Sequence, residues 1–86
     1  MATYSVEVTS TAERQIRRLA RADQIRVVRA IQALGSDPRP PGCRKMTGLD
    51  DVFRVRIGRY RVIYSVADRV LTVIVLKIGD RKDVYR

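Results

Sequence analysis

Arg54, Arg56 and Arg61 fall within one short segment, VFRVRIGRYRVIYSV, residues 52–66. Guanidinium groups at this density suit the holding of phosphate, because each offers a planar pair of N–H donors that matches two phosphate oxygens. Read with period two and folded at Gly58-Arg59, which suits a two-residue type II′ turn with glycine first, the segment sets Ile57 against Tyr60, Arg56 against Arg61 and Phe53 against Tyr64. Phe53, Val55 and Ile57 then share an apolar face with Tyr60, Val62 and Tyr64, while Arg54, Arg56, Arg61, Ile63 and Ser65 take the other. Like charges directly opposite in a ladder destabilise it by something comparable to the ~0.2 to 1 kcal/mol that a good cross-strand pair contributes. Fold stability alone gives no reason to oppose Arg56 and Arg61. A bound anion does.

The rest of the chain must position this hairpin. Tyr4 to Thr9 alternates Tyr4, Val6 and Val8 with Ser5, Glu7 and Thr9, the pattern of a strand with one buried face. Ser10 and Glu13 form a capping box that opens a helix expected to end near Ala22, with Ala12, Ile16, Leu19 and Ala20 on its apolar side. Asp23 reads as the N-cap of a second helix carrying Val27, Val28, Ile31 and Leu34, and Gly35 stands where a left-handed C′ residue is expected. The arginines of these helices, Arg14, Arg17, Arg18 and Arg21, read as a solvated outer face opposite an apolar stripe. Ser36 to Cys43, SDPRPPGC, is a loop by its proline content. Arg44 and Lys45 follow it, placed either to reach a phosphate backbone or to be solvated.

Beyond the hairpin, Ala67 to Val70 makes a tight turn, and VLTVIVLKI, residues 70–78, is so continuously apolar that it reads as a central strand covered on both faces. Simple alternation sends Val73 and Val75 to the helix-covered face and Thr72, Ile74 and Leu76 to the face of Arg61. Apolar side chains there call for a protein partner to cover them. If this last strand runs antiparallel to its predecessor, the terminal GDRKDVYR returns Asp80, Arg81, Lys82, Tyr85 and Arg86 to the side of the hairpin.

Composition limits the functions open to such a chain. Eighty-six residues suit one domain, 1–86, whose core removes roughly 60% of the unfolded chain's surface from water. The formal charge is +9, from 18 basic and 9 acidic residues, which directs attention to a polyanionic partner: nucleic acid, a membrane surface or an acidic protein. Cys43 is the sole cysteine, so no disulfide forms within the chain, as suits a reducing cytosol. There is no histidine, and no metal site or cofactor is expected. No window approaches the roughly 18 consecutive apolar residues of a membrane span, and MATYSVEV lacks the basic and apolar regions of a signal peptide. A soluble cytoplasmic protein is expected.

The order strand, two helices, three strands, with KMTGL before the hairpin, FRVRIGRYRVIYSV within it and VIVLKIGDRKDVYR at the end, resembles the RelE/ParE toxin superfamily. The likeness is closest to the RelE-like, ribosome-dependent mRNA interferases, and it covers almost the whole chain. Its most specific part is G-x-Y-R-h-h-Y, with h apolar, followed by an apolar strand and I-G-x-R-x-x-x-Y. The resemblance implies an α+β fold of order β-α-α-β-β-β, with a helical hairpin on a twisted, mainly antiparallel sheet. It implies the toxin of a type II toxin-antitoxin system, a metal-independent endoribonuclease that cuts mRNA in the ribosomal A site by attack of a ribose 2′-hydroxyl on the adjacent phosphorus. It also implies a cognate RelB-like antitoxin, bound in a hetero-oligomer, and contact with ribosomal RNA.

Carried over residue by residue, the likeness makes Arg54, Arg56, Arg61, Arg81 and Tyr85 the catalytic set, with Arg44, Lys45, Lys82 and Arg86 as RNA contacts. Fixed guanidinium groups stabilise the charge that builds on phosphoryl oxygens with little reorganisation, and Tyr85 is suited to stack on a base or relay a proton. The chain departs from the pattern where Arg54 and Arg56 replace lysines, since arginine is a poor general base. Asp80 stands where many relatives carry histidine, either as a base or as half of a structural ion pair, and the terminus is short. Two rival readings accompany this one. A ParE-like chain poisons DNA gyrase by binding and needs no catalytic cluster, and a basic module without chemistry would simply retain nucleic acid.

Overall fold

In the computed structural model, which describes residues 3–80, strand β1 (Ser5–Val8) leads into helices α1 (Ser10–Arg17) and α2 (Arg21–Ala33). Strands β2 (Arg44–Lys45), β3 (Val52–Ile57), β4 (Tyr60–Ala67) and β5 (Thr72–Asp80) follow. The sheet order is β1-β5-β4-β3-β2, with β1 parallel to β5 and the other pairs antiparallel. This is the expected α+β arrangement, with one short strand, β2, added at the edge beyond β3. β5 is an interior strand between β1 and β4, but its apolar run is buried on the helix side only, through Val73, Val75 and Ile78, while Thr72 and Ile74 on the other face are half-buried and not fully covered as expected.

The hairpin folds as its alternation dictates: Ile57 pairs with Tyr60, Arg56 with Arg61, Val55 with Val62 and Phe53 with Tyr64. At the turn Gly58 has φ 61° while Arg59 has no positive φ, the combination of a type II′ turn. A Cβ on Gly58 would also stand 2.7 Å from a guanidinium nitrogen of Arg26.

Both helices pack on one face of the sheet. Ala12, Val27, Ile31 and Leu34 meet Phe53, Val55, Val62, Tyr64, Val66, Val73, Val75 and Ile78 in one core, with Ile16 and Leu19 at its margin. Arg14, Arg17, Arg18 and Arg21 are exposed, the solvated outer face. The helix boundaries differ from the capping-box reading. Thr9, in extended conformation, caps α1 by accepting from the N–H of Ala12 at 3.1 Å, and Glu13 pairs with Arg17 instead. α1 stops at Arg17, not near Ala22, because Gln24 reaches back from α2 to the carbonyls of Arg17 (3.1 Å) and Leu19 (2.9 Å). Asp23 does not cap α2, which starts behind Ala20; its carboxylate accepts from the Tyr60 hydroxyl at 2.9 Å.

Gly35 is not left-handed, as its place after α2 suggested, but is needed for close approach. A Cβ there would lie 3.0 Å from the carbonyl oxygen of Tyr4 and 3.3 Å from a methyl of Val6 in β1; the Tyr4 N–H donates to the Gly35 carbonyl at 2.8 Å. The turn before β5 is a short 3-10 helix, Asp68–Val70, so Val70 lies outside the strand.

One irregularity alters the far face. Between β4 and β5 the pairing runs Ala67 with Thr72, Val66 with Val73, Ser65 with Ile74 and Tyr64 with Val75, then shifts so that Ile63 pairs with Lys77, Val62 with Ile78 and Arg61 with Gly79. Leu76 is the extra residue of a β-bulge. Past it, even-numbered residues face the helices, so Ile78 is in the core at 3% exposure and Lys77 faces away. Side chains of α1 and its N-cap satisfy the backbone groups this leaves on the α1 side: the Thr9 hydroxyl donates to the Leu76 carbonyl at 2.8 Å, and the Gln15 side-chain oxygen accepts from the Ile78 N–H at 2.6 Å.

Candidate phosphodiester-binding site

On the face of the sheet away from the helices, cross-strand pairing builds two rows. In one, Arg44 stands beside Arg54, Arg54 beside Ile63 and Ile63 beside Lys77; in the next, Arg56 stands beside Arg61 and Arg61 beside Gly79. Arg44, Arg54, Arg56 and Arg61, with Pro41, Gly42 and Val55, line a cleft of about 570 Å³. The four arginines come from β2, β3 and β4 and project to one side because alternate residues of a strand share a face.

Arg61 is the anchor of this cleft. Only 8% of it is exposed, whereas Arg56 opposite is open to solvent. A cation withdrawn from water beside another cation is costly, and guanidinium tolerates the withdrawal better than an ammonium because it is more weakly hydrated. Gly79 puts no side chain next to Arg61 on the β5 side, which leaves room for a ligand to approach the sheet closely.

The loop that walls the cleft is clamped from behind. Asp68 accepts two hydrogen bonds from Arg39, at 3.2 and 2.9 Å, and a third from the Tyr4 hydroxyl at 2.6 Å. The Arg39 guanidinium also lies over the Phe53 ring, 5.1 Å from its centroid. Tyr64 donates to the Pro38 carbonyl at 2.8 Å, and burial raises its phenol above the ordinary range, so it stays a neutral donor. The Arg39 hydrogen bond, then that of Tyr4, lowers the Asp68 carboxyl below its ordinary value. A depressed carboxyl contributes stability above its unfolded pKa of about 3.9 and loses it as pH falls through the lower folded value. Asp68→Asn is therefore expected to flatten the acid limb of a plot of urea midpoint against pH, between about pH 5 and 2; an acid limb identical to wild type would show that the clamp adds nothing.

Not every expected residue joins the cleft. Lys45 pairs with Phe53, whose side chain is in the core, so the alternation that brings Arg44 to the cleft carries Lys45 to the opposite side. Asp80 pairs with Tyr60, also on the helix side, and its carboxylate bonds Arg59 at 2.6 Å. It is held as an ion-pair partner away from Arg61, and the partner is Arg59. Arg81, Lys82, Tyr85 and Arg86 lie outside the described residues. Lys77 is the addition, brought to the cationic face by the bulge. The available signal was the lysine itself, a charge at a place where strict alternation would have buried it.

The fold is a helical hairpin on a mixed sheet whose other face gathers arginines. Residues 6–85 match the family described as ParE toxin of type II toxin-antitoxin system, parDE. The chain is 33% identical over 84 residues to Toxin RelG of Mycobacterium tuberculosis, covering 96% of this chain and 97% of that protein. It is 30% identical over 88 residues to Putative toxin RelE1 of Methanocaldococcus jannaschii, with 96% of each covered. Its fold superposes on the toxin of the archaeal RelE-RelB complex of Pyrococcus horikoshii with a TM-score of 0.84, at 29% identity over 94% of this chain and 98% of that one. For the toxin-antitoxin complex RelBE2 of Mycobacterium tuberculosis the TM-score is 0.80, at 32% identity over 96% and 97%. The chain belongs to the RelE/ParE superfamily and is a RelE-family toxin of the type II toxin-antitoxin class.

Proposed function

We propose that this toxin is an endoribonuclease that cuts mRNA in the ribosomal A site and thereby stops translation. The observation that carries the reading is the withdrawn guanidinium of Arg61, opposed by Arg56 and flanked by Arg54 and Arg44 in one cleft. The ribose 2′-hydroxyl gives its proton to water as its oxygen attacks the adjacent phosphorus; the bond to the 5′-oxygen breaks and that oxygen takes up a proton, giving a 2′,3′-cyclic phosphate and a free 5′-hydroxyl. Negative charge grows on the phosphoryl oxygens during attack, where preoriented guanidiniums stabilise it. Arg81 adds to that stabilisation, and Tyr85 stacks on a base or passes a proton to the leaving oxygen. Lys82 and Arg86 hold the RNA backbone.

Among the described residues, the ionisable groups lining the cleft are arginines, which are poor bases. Rate enhancement then depends on alignment of the 2′-hydroxyl with phosphorus and leaving oxygen, a positioning effect worth several kcal/mol, which the ribosome supplies by holding the codon. A cognate antitoxin of the RelB kind neutralises the toxin in the cytoplasm by laying a segment across it and bringing carboxylates to the arginines; the relatives crystallised as RelE-RelB complexes support this partner. Cleavage of mRNA on programmed ribosomes, negligible cleavage of the same RNA free in solution, and suppression by the small protein encoded beside the toxin are the expected results. Equal cleavage of free and ribosome-held RNA would overturn the positioning argument, and undiminished cleavage with the neighbouring protein in excess would overturn the neutralisation.

The match to the ParE family over residues 6–85 favours a second reading, a DNA gyrase poison that acts by binding. Inhibition of supercoiling with ribosomal mRNA left intact would select it.

A further inference from the structure

Lys77 owes its place on the cationic face to the bulge at Leu76, and the side chains of Thr9, the N-cap of α1, and of Gln15 within it are bonded to the backbone on either side of Lys77. It is exposed, and the cleft's lining stops short of it at Arg61. Because Arg61 pairs with Gly79, Lys77 is Arg61's diagonal neighbour, roughly 7 to 8 Å away between Cα atoms and within reach of long side chains. Arg44, at the other end of the row, stands three strand spacings from Lys77, about 14 Å. Ile63 is between Arg54 and Lys77 and is only 4% exposed, so the row consists of cations at both ends and a buried apolar residue in the gap. A phosphate seated among Arg54, Arg56 and Arg61 is contacted at about 2.8 Å by donors from β3 and β4, and Lys77, beyond Ile63 on β5, is placed for the next phosphate of the same strand.

We propose that Lys77 forms a second phosphate subsite beyond the Arg54, Arg56 and Arg61 cleft, so that single-stranded RNA runs across the β-strands from β2 to β5 and not along the hairpin. This rests on reading the cleft as an RNA site. Lys77 contacts the phosphate next to the one held at Arg61, on the β5 side. It is a binding residue and takes no part in bond cleavage. An ammonium suits the task because a flanking phosphate needs a point charge on a flexible stem more than a fixed planar fork.

The test is the salt dependence of binding to a short single-stranded RNA made uncleavable by 2′-O-methylation, followed by fluorescence anisotropy. Each phosphate neutralised on a single strand contributes about −0.7 to the slope of log K against log salt. Lys77→Ala is expected to make the slope shallower by about 0.7 and to weaken binding several-fold at low salt, while Lys77→Arg keeps the wild-type slope. Arg17→Ala, which removes the same charge from an exposed helical position, is expected to leave the slope unchanged. A wild-type slope for Lys77→Ala, or an equal loss from Arg17→Ala, would overturn the subsite. Failure of the wild-type protein to bind this RNA would also overturn it without touching the ribosomal reading, which is judged by cleavage of mRNA on ribosomes.

Discussion

On ribosomes programmed with a susceptible codon, Arg61→Ala is expected to lower the single-turnover rate of mRNA cleavage by about 10²-fold or more, the scale of losing one preoriented transition-state donor. At roughly 1.4 kcal/mol per factor of ten, that is near 3 kcal/mol of barrier. Arg61 is singled out from the other cleft arginines by burial: at 8% exposure its guanidinium interacts through less water than exposed Arg56, and charge interactions strengthen as the local dielectric falls. Arg61→Lys is expected to recover only part of the rate, since an ammonium keeps the charge and loses the fork. Full-rate cleavage by Arg61→Ala would remove Arg61 from the chemistry.

The second large effect belongs to the helix-covered core. Leu34, at the C-cap of α2, is 2% exposed and packed into the cluster that includes Tyr64, Val73 and Val75. Leu34→Ala is expected to cost about 2 to 5 kcal/mol, the transfer free energy of the lost atoms plus the cavity they leave. For a domain whose total stability is of the order of 5 to 15 kcal/mol, that lowers the thermal midpoint by about 8 °C or more, at about 4 to 8 °C per kcal/mol. Ile25→Ala, by contrast, changes a side chain that is 46% exposed and is expected to move the midpoint little. An unchanged midpoint in Leu34→Ala would mean that α2 does not seal the core.

The hairpin was legible residue by residue. Its alternation is unbroken from Phe53 to Val62, and Gly58 supplies the one positive φ the turn needs, so a slip by one residue would have turned every core side chain to the wrong face. The opposition of Arg56 and Arg61, and the suggestion of a bound anion, followed from that alone. The helical stripes were equally plain, although their ends were not: Thr9, Ser10 and Thr11 are all competent caps by type, and only the approach of β5, whose Leu76 carbonyl takes the Thr9 hydroxyl, selects Thr9.

What the tertiary structure decided lies mainly in β5. VLTVIVLKI has no polar alternation to reveal its faces, so Lys77 is the one local sign of a register change, and the bulge at Leu76 becomes visible only against β4 on one side and the start of α1 on the other. That single extra residue sends Ile78 into the core and Lys77 to the arginines. Asp80 and Lys45 were likewise ambiguous by type, and pairing with Tyr60 and Phe53 removes both from the cleft. By itself the sequence determined the hairpin, its opposed arginines and the helical stripes, because each depends on periodicity and turn chemistry within a short segment. Which charges share the sheet's far face was settled by partners distant in the chain, since one unpaired residue in a ladder reverses every side chain after it.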